Sequence, residues 1–436
     1  MNTHYRNLKV ALLGAGSVGS QVARVLLEHG PILASRIGAK LELVGVGVRN
    51  LDSKRDYEIP AQLLTTDLES LTQKADIVVE LMGGIEPSKS LILSAINSGA
   101  DVVTANKALI AAHGPELFAA ASQVGAQIFY EAAVGGAIPI IRPLRESLAG
   151  DYIERVLGIV NGTTNYILDQ MTQEGTSFED ALAAATAAGY AEADPTADIE
   201  GQDAASKAAI LASLAFHTQI PVDQVYHEGI TKVTAADIRN AARAGSVVKL
   251  LAICERQEFA DGTEAVSAKV YPALIPNNHP LAAVHGANNA VFVQARAAGN
   301  LMFYGAGAGG VQTSSAVLGD IVTAARRLVV GGQAVAEAQD ADLRVLDFAE
   351  TETRYQISLQ VLDEPGVLAR IAGLISNNQV SVETVMQSSG TAASAATLTV
   401  GTHRASENNL QATVAALAAS ADVVEVSSII RIEGVE

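Results

Sequence analysis

The sequence has a single cysteine, Cys254, and no tryptophan among its 436 residues. One cysteine cannot form an internal disulfide or a cysteine-based zinc site, and the eight histidines include no HExxH or other close ligand pair. No uncharged apolar run approaches the roughly 18 residues that a membrane helix needs, and no cleavage-site pattern follows an apolar stretch at the start. We therefore expect a cytoplasmic protein without a catalytic transition metal.

Positive charge is also scarce. The chain has 29 Lys and Arg residues against 47 Asp and Glu residues, which gives a formal net charge of −18. Nucleic acids and anionic membranes bind basic surfaces, so the composition argues against both as partners. Any anionic ligand must be met by a few local cations.

Apolar residues are abundant, at 49% of the chain with a mean hydropathy of +0.25. Together with the length, this predicts two or three globular domains. In about the first 150 residues, short apolar runs alternate with helical patterns. KVALLGAG, LELVGVGVRN, ADIVVELMGG, DVVTAN and AQIFYEAAVGG are interpreted as strands. Alternation at this spacing predicts βαβ units and a doubly wound parallel sheet, which is an α/β fold.

The pattern changes at Asp151 and again near residue 331. Residues 151–313 combine alanine-rich helices near 179–188 and 203–216 with strands such as VSAKVYPALIP and NAVFVQA, which predicts an α+β domain. A helix at about 314–330 is expected to return to the first domain, 1–150. Residues 331–352 are predicted to form a linker. Residues 353–436 follow a β-α-β-β-α-β order, which is typical of a ferredoxin-like unit.

The first strand pattern ends in Gly14-Ala15-Gly16-Ser17-Val18-Gly19, immediately before a helix pattern. In this context GxGxxG predicts a dinucleotide-binding domain of the Rossmann type. Gly14 allows the tight turn, Gly16 lets the backbone approach a pyrophosphate, and Gly19 permits close packing of helix and strand. The N–H groups at the start of the helix, at Ser17 and Val18, are then expected to bind the phosphates.

Two cations are predicted to lie where doubly wound sheets bind their cofactors. The second strand ends in Val48-Arg49-Asn50 instead of the Asp or Glu that holds the ribose 2′-hydroxyl of NAD, so Arg49 is predicted to pair with the 2′-phosphate of NADP. Lys107 follows the strand DVVTAN at the carboxyl edge of the sheet, within reach of the substrate or the nicotinamide end of the cofactor. The alternative for both residues is an ordinary solvated surface cation.

Five carboxylates precede a lysine in AEADPTADIEGQDAASK, residues 191–207. Asp203 and Lys207 are four residues apart on a predicted helix and share one face, as either a surface pair or a catalytic pair. The helix is otherwise apolar, with alanines on both sides of the pair, which favours the catalytic interpretation. Glu192 and Asp203 can then hold a ligand ammonium while Lys207 gives a proton to a carbonyl that is being reduced. Gly189 would allow the backbone to approach the cofactor closely.

These residues closely resemble the signature of the homoserine dehydrogenase family. The shared pattern is Ala185-x3-Gly189-Tyr190, then Asp194-Pro195-x2-Asp198-Ile199-x-Gly201-x-Asp203-x3-Lys207. The resemblance extends through residues 104–107, 161–166 and 279–282, and it covers about residues 8–330. The family usually has proline near Ala306 and at Gln312, where this chain departs from it.

The resemblance implies an oxidoreductase that interconverts L-aspartate 4-semialdehyde and L-homoserine with NAD(P)H in threonine and methionine biosynthesis. It makes Lys207 the proton donor, makes Glu192 and Asp203 the residues that bind the amino acid, and places Lys107 at the cofactor and substrate end. Gly189 and Gly305 would contact the cofactor, which is expected to be NADP, with NAD as an alternative. Residues 151–313 would bind substrate and dimerise, giving a homodimer or homotetramer.

A monovalent cation, usually sodium, is also implied by the resemblance. Its ligands would be Glu131, Val134, Gly136 and Ile138. EAAVGGAIP is a glycine-rich loop whose backbone carbonyls can turn inward, and hard cations take oxygen ligands. The ion would be structural.

Residues 353–436 resemble an ACT domain, with LDEPGVL, residues 362–368, at its first strand–helix junction. Such domains commonly bind a free amino acid, here expected to be threonine as a feedback inhibitor, and the alternative is a module that only dimerises. Two other interpretations of the whole chain stay open. One is another ACT-containing amino-acid dehydrogenase, such as one forming 3-phosphohydroxypyruvate, which the 185–207 signature disfavours. The other is a dinucleotide and amino-acid sensor without chemistry, which the presence of Lys107, Asp203 and Lys207 together disfavours.

Overall fold

The computed structural model describes residues 6–332, 337, 341–389 and 395–434. The chain divides into two compact units. Unit 1 contains Met1–Gly162, Asp203–Val225 and Asn288–Leu343, and unit 2 contains Thr163–Gln202, Tyr226–Ala287 and Arg344–Glu436. These units divide the chain differently from the predicted domains, whose boundaries stay a prediction.

The strands are numbered in chain order. They are β1 (Arg6–Leu13), β2 (Ala39–Gly47), β3 (Leu64–Thr65), β4 (Ile77–Glu80), β5 (Asp101–Thr104), β6 (Ile128–Phe129), β7 (Ile153–Ile159), β8 (Tyr226–His227), β9 (Ser246–Glu258), β10 (Glu264–Pro276), β11 (Asn288–Ala295), β12 (Gly299–Ala306), β13 (Arg344–Val345), β14 (Glu352–Thr353), β15 (Tyr355–Leu362), β16 (Val382–Ser389), β17 (Ala395–Thr402), β18 (Ala405–Ser406) and β19 (Val423–Ile432).

The helices are numbered in the same way. They are α1 (Ser17–Glu28), α2 (Gly30–Ile37), α3 (Leu68–Thr72), α4 (Ser88–Asn97), α5 (Lys107–Val124), α6 (Gly162–Glu174), α7 (Phe178–Ala187), α8 (Thr196–Ile199), α9 (Gln202–Phe216), α10 (Ala235–Arg243), α11 (Gly310–Val330), α12 (Val367–Asn377) and α13 (Glu407–Ala418). No helix in the described ranges is both long enough and apolar enough to cross a membrane.

The main sheet of unit 1 is parallel and has the strand order β3-β2-β1-β4-β5-β6. This is the order of a Rossmann sheet, so the predicted fold of this region is confirmed. Its central strands are continuous apolar runs because helices cover both faces of the sheet. Helix α11 contributes Val317, Ile321 and Ala324 to the same core as β1 and α1. A helix that is distant in sequence therefore packs against this sheet.

The predicted strand through AQIFYEAAVGG is wrong beyond its first residues. Only Ile128 and Phe129 pair with β5, and Glu131–Ala133 forms a 3-10 turn. The backbone then turns at Gly135 and Gly136, whose φ angles are +77° and +59°. An apolar run of small residues is compatible with either conformation, and here two adjacent positive φ angles end the strand.

Unit 1 also contains the antiparallel strands β7, β11 and β12. β11 pairs with β7 on one side and with β12 on the other. This register places Asn289 opposite Gly305. The strand predicted at NAVFVQA, residues 289–295, is confirmed.

Unit 2 is organised around a mixed sheet in the order β9-β10-β19-β15-β17-β16. The long hairpin of β9 and β10 is antiparallel, whereas β19 joins β10 in parallel through Ala273 and Leu274. Strands β15, β16, β17 and β19 with α12 and α13 form the predicted βαββαβ unit, which is therefore confirmed. Its sheet continues directly into the β9–β10 hairpin.

The predicted linker is partly outside the described residues, at 333–336 and 338–340. The described part from residue 344 has structure of its own. Strand β13 pairs with β10, a 3-10 turn spans Phe348–Glu350, and β14 pairs with β18.

Arg431 lies in β19 where the βαββαβ unit meets β10, and it is 8% exposed. Its guanidinium donates to Glu407 at 2.6 Å and to Glu228 at 2.8 Å. It also lies over the rings of Tyr271, at 4.6 Å from the centroid, and Phe348, at 5.1 Å. Because Glu407 has no exposed surface, Arg431 is the cation that makes its burial tolerable.

Replacing Arg431 with methionine should therefore lower the stability of the full chain by about 3–5 kcal/mol, because Glu407 would stay buried without its cation. Guanidinium chloride unfolding of wild type and variant measures the loss. The matched control is Arg370→Met, which breaks a surface pair with Asp422 and should shift the midpoint much less. Equal shifts of the unfolding midpoint in the two variants would show that the buried pair contributes no more to stability than the surface pair.

Candidate active site

The turn between β1 and α1 is shaped by its three glycines. Gly14 has a φ of +102°, and a Cβ there would lie 2.7 Å from the carbonyl oxygen of Leu81. A Cβ at Gly19 would lie 2.1 Å from the carbonyl oxygen of Gly14. At Gly16, which precedes the first turn of α1, a Cβ would meet nothing within 4 Å. The turn is thus packed on the protein side at Gly14 and Gly19 and has open space at Gly16.

Ser17 and Val18 begin α1, beside that open space. The start of α11 packs closely on the same turn, because a Cβ at Gly310 would lie 2.7 Å from the carbonyl oxygen of Ser17. The first N–H groups of α1 have no partners inside the helix and face a ligand in sites of this kind. This geometry fits the pyrophosphate of a dinucleotide.

Arg49 follows β2 and is exposed. The loop after it is held by Arg55, whose guanidinium donates to the carbonyl oxygens of Asn50 (2.6 Å), Ser53 (2.8 Å) and Leu51 (3.1 Å). The two arginines therefore differ: Arg55 fixes the loop, and Arg49 presents a cation at the end of the strand.

Lys107, Asp203 and Lys207 form one cluster within unit 1. The ammonium of Lys207 lies 2.6 Å from Oδ2 of Asp203, and the ammonium of Lys107 lies 2.5 Å from Oδ1. Asp203 is 7% exposed and Lys207 is 8% exposed, whereas the side chain of Lys107 is 45% exposed. One buried carboxylate is therefore shared by a buried lysine and a half-exposed lysine.

The helix α9 explains why this pair is buried. Asp203 and Lys207 lie one turn apart on it, and the alanines around them are also buried, at 2% exposure or less: Ala204, Ala205, Ala208 and Ala209. Small side chains let neighbouring backbone approach on all sides, so water has little access. The alternative of an ordinary solvated pair is wrong.

Two further groups complete the cluster, and the sequence pattern did not assign them a role. The backbone carbonyl of Val160 accepts from Lys207 at 2.7 Å, and the amide of Asn161 donates to Oδ2 of Asp203 at 2.9 Å. Both come directly after β7, in the stretch 160–161 that precedes α6. The only signal in the sequence was that Asn161 opens the NGTTNY motif.

Burial by itself would raise the pKa of the Asp203 carboxyl. The ammonium groups of Lys207 and Lys107 act in the opposite direction, and together they hold the pKa of Asp203 well below its usual value. The carboxylate is therefore charged at any working pH. It can keep both lysines oriented without itself taking up a proton.

The other carboxylates of residues 191–207 belong to unit 2 and have different surroundings. Glu192 is exposed, as is Gly189, whose φ is +77°. Asp194 accepts from the N–H of Thr196 at 3.1 Å, which begins α8. Thr163 holds the same loop by donating to the carbonyl of Tyr190 at 2.7 Å. The acidic stretch is thus a structured loop plus one buried carboxylate.

The predicted cation loop, 131–138, is closely packed. The carboxylate of Glu131 accepts from the N–H groups of Ile140 (2.6 Å), Ile141 (2.7 Å) and Arg142 (2.9 Å). Its side chain is therefore committed to the protein. The N–H groups of Ala133, Ala137 and Ile138 donate to the carbonyl oxygens of Tyr130, Ala306 and Gly135. None of these three acceptors is one of the predicted cation ligands, whose carbonyl oxygens are of the type that a hard cation takes.

Gly305 and the residues after it lie against this loop. A Cβ at Gly305 would be 3.5 Å from Cγ1 of Ile138, and a Cβ at Gly136 would be 2.3 Å from the carbonyl oxygen of Gly307. Ala306, where the family has proline nearby, accepts from the N–H of Ala137 at 3.1 Å. Gln312, the second departure, packs its side chain on Gly309, where a Cβ would meet its Oε1 at 2.3 Å. The loop keeps close backbone contacts despite both departures.

Three family models match the chain. The homoserine dehydrogenase model matches residues 139–322, the homoserine dehydrogenase NAD-binding domain model matches residues 14–131, and the ACT domain model matches residues 355–422.

Curated and solved relatives agree with these matches. A homoserine dehydrogenase of Corynebacterium glutamicum is 52% identical over 426 residues, which are 97% of this chain and 95% of that protein. The crystal structure of a homoserine dehydrogenase from Thiobacillus denitrificans has a TM-score of 0.90 at 38% identity and covers 98% of this chain and 99% of that one. A hyperthermophilic archaeal homoserine dehydrogenase in complex with NADPH has a TM-score of 0.61 at 28% identity and covers 75% of this chain and 99% of that one.

Proposed function

The chain belongs to the homoserine dehydrogenase family, and from that premise we propose how its own residues carry the reaction. It is an oxidoreductase of the type that interconverts L-aspartate 4-semialdehyde and L-homoserine. The observation that carries the proposal is the buried Asp203 carboxylate shared by Lys107 and Lys207.

Lys207 is the proton donor in this proposal. An ammonium has three N–H groups. Two of those of Lys207 donate to Asp203 and to the Val160 carbonyl, so the third can donate to the aldehyde oxygen. The nicotinamide cofactor, when bound, supplies the hydride. Lys207 gives its proton to the oxygen that becomes the hydroxyl, and Asp203 stays charged throughout because its pKa is held low.

The substrate is an amino acid, so its ammonium and carboxylate also need partners. Glu192 and Asp203 are proposed to hold the ammonium. Lys107 occupies Oδ1 of Asp203 in this structure, but its side chain is half-exposed and is free to turn toward an anionic group. Lys107 thus serves the cofactor and substrate end while Lys207 stays fixed.

Replacing Lys207 with alanine should lower turnover by about 10²–10⁴-fold, because a positioned proton donor is lost. Binding of NADPH, measured by fluorescence titration, should stay close to wild type. Lys89→Ala, which breaks a surface pair with Glu116, is the control and should keep full turnover. Turnover of Lys207→Ala within a few-fold of wild type would refute the assignment.

The preferred cofactor is proposed to be NADP. Arg49 supports this, since an exposed cation ends β2 where NAD-binding domains carry an acid. The archaeal relative was solved with NADPH. Gly14, Gly16, Gly19, Ser17 and Val18 would hold the pyrophosphate, with Gly189 and Gly305 contacting the cofactor elsewhere.

Arg49→Ala should weaken NADPH binding by about 10–100-fold, the value of a charge-assisted hydrogen bond, and leave NADH binding nearly unchanged. Dissociation constants for both cofactors measure the difference. Lys54→Ala removes an exposed cation from the same loop and should alter neither constant appreciably. Equal losses for NADPH and NADH in Arg49→Ala would mean that Arg49 only supports the loop.

A structural sodium ion is proposed in the loop 131–138. The support is the set of oxygen atoms that the loop offers as ligands. Glu131 commits its carboxylate to three backbone N–H groups, and the positive φ angles of Gly135 and Gly136 turn successive peptides in different directions. The ligands would therefore be the carbonyl oxygens of Glu131, Val134, Gly136 and Ile138.

The ACT domain is proposed to bind L-threonine as a feedback inhibitor and to pair with a second copy in a homodimer or homotetramer. Asp363 and Gly366 lie in an exposed loop before α12, where a ligand carboxylate can meet the first N–H groups of the helix. The strand β16, with exposed Val385 and Met386, offers apolar side chains for pairing. A cytoplasmic location stays a prediction.

The effector test must keep the whole chain, because β19 and Arg431 are part of the sheet that contains β10. Wild type should bind threonine in calorimetry and lose activity at millimolar threonine. Asp363→Asn should weaken both effects, because Asp363 is proposed to bind the ligand ammonium, and Asp261→Asn, in an exposed hairpin turn, should change neither. If wild type shows no heat of threonine binding and no inhibition, the ACT domain serves only in assembly and the effector proposal is refuted.

A further inference from the structure

Glu80 ends β4 as a carboxylate with no exposed surface. Its Oε1 accepts hydrogen bonds from the N–H groups of Met82 (2.8 Å) and Gly83 (3.0 Å) and from the hydroxyl of Ser88 (3.2 Å). Its Oε2 accepts from the hydroxyl of Thr104 at 2.7 Å. A buried carboxylate needs such donors to offset the loss of water, and here they come from two connections at the carboxyl edge of the sheet.

A second set of bonds leads from Thr104 to the lysine of the active site. The hydroxyl of Thr104 accepts from the N–H of Asn106 at 3.0 Å. Asn106 caps α5 by accepting from the N–H of Leu109 at 3.2 Å, and its amide donates to the carbonyl of Gly84 at 2.6 Å. Lys107 is the first residue of α5. The backbone position of Lys107 is therefore set by the cap residue Asn106, which is held in turn by its hydrogen bond to Thr104 and by that of Thr104 to Glu80.

We infer that Glu80 is a positioning residue for the reaction, which acts through Thr104 and Asn106 to hold Lys107 beside Asp203. The inference rests on the role proposed for Lys107. Glu80 has no exposed surface, so it acts through its neighbours and not by direct contact with a ligand. Through these hydrogen bonds Glu80 connects the turn 82–84 after β4 to the start of α5, so the two segments are held together at the same edge of the sheet.

The chemistry of this position requires a carboxylate and not an amide. Thr104 has one hydroxyl proton, which it gives to Glu80, and it already accepts from Asn106. In Glu80→Gln the amide oxygen can still accept from Met82 and Gly83, but the amide nitrogen would donate toward Thr104. The hydroxyl proton of Thr104 would then lack a buried acceptor, so the link to Asn106 is strained while the turn is kept.

The test is a double-mutant cycle on kcat in the full-length enzyme. Glu80→Gln should lower kcat by about 10–100-fold through misplacement of Lys107. In a Lys107→Ala background, the same substitution should lower kcat by no more than about twofold, since residues that act through one another are not additive. Fully additive losses, or wild-type kcat for Glu80→Gln, would overturn the inference.

The single variant Lys107→Ala separates this inference from the proposed function. If Lys107→Ala alone keeps wild-type turnover, the role of Lys107 fails and the inference for Glu80 fails with it. If Lys107→Ala is slow and the two losses add, only the inference for Glu80 fails.

Variants of Thr104 keep the test informative if Glu80→Gln does not fold. Thr104→Val removes the same hydrogen bonds without altering a charge and should lower kcat, whereas Thr104→Ser keeps the hydroxyl and should keep kcat close to wild type.

A matched control lies at the other end of β5, where the buried Asp101 pairs with Arg327. Asp101→Asn should lower the thermal midpoint but not kcat. Equal loss of kcat in Thr104→Ser and Thr104→Val, or in Asp101→Asn and Glu80→Gln, would show a merely structural effect and overturn the inference.

Discussion

A single buried carboxylate between two ammonium groups is the interaction on which the arrangement of unit 1 depends. Asp203 is almost fully buried, and such a charge is tolerated only with partners. Those partners come from three separate places: Lys207 on the same helix, Lys107 at the start of α5, and the 160–161 segment after β7. The cluster forms only when sheet, helix and connecting segment are all in place. The geometry of the site therefore depends on the packing of all three parts.

Local patterns predicted the parts of this protein that depend on neighbours in sequence. The spacing of Asp203 and Lys207, the glycines after β1 and the βαββαβ order all reflect rules that act within a few residues or one element. Asn161 and Glu80 were not assigned roles because their partners are distant in sequence. The strand predicted through residues 131–136 was wrong because small apolar residues do not distinguish a strand from a turn with two positive φ angles. The pairing of β19 with β10 had no local signal.

The charge distribution gives the few cations a particular importance. The net charge of −18 opposes the approach of an anionic cofactor at long range. In the proposed function, attraction comes from short-range groups, namely the N–H groups at the start of α1, Arg49 and the lysine cluster. Such short-range contacts are screened less by salt than a diffuse surface field is. The surface and the site thus carry opposite signs for separate reasons, one for solubility and one for binding.

The shared sheet of unit 2 has a consequence for how the protein is made. Strand β10 gains β19 as a neighbour only after the ribosome has added everything from β13 to α13. Until then residues 273–274 of β10 lack this partner, although residues 265–266 and 269–270 pair with β13 and β8, and unpaired strand edges associate with other chains. Completion of this sheet edge therefore depends on a strand that is synthesised almost last.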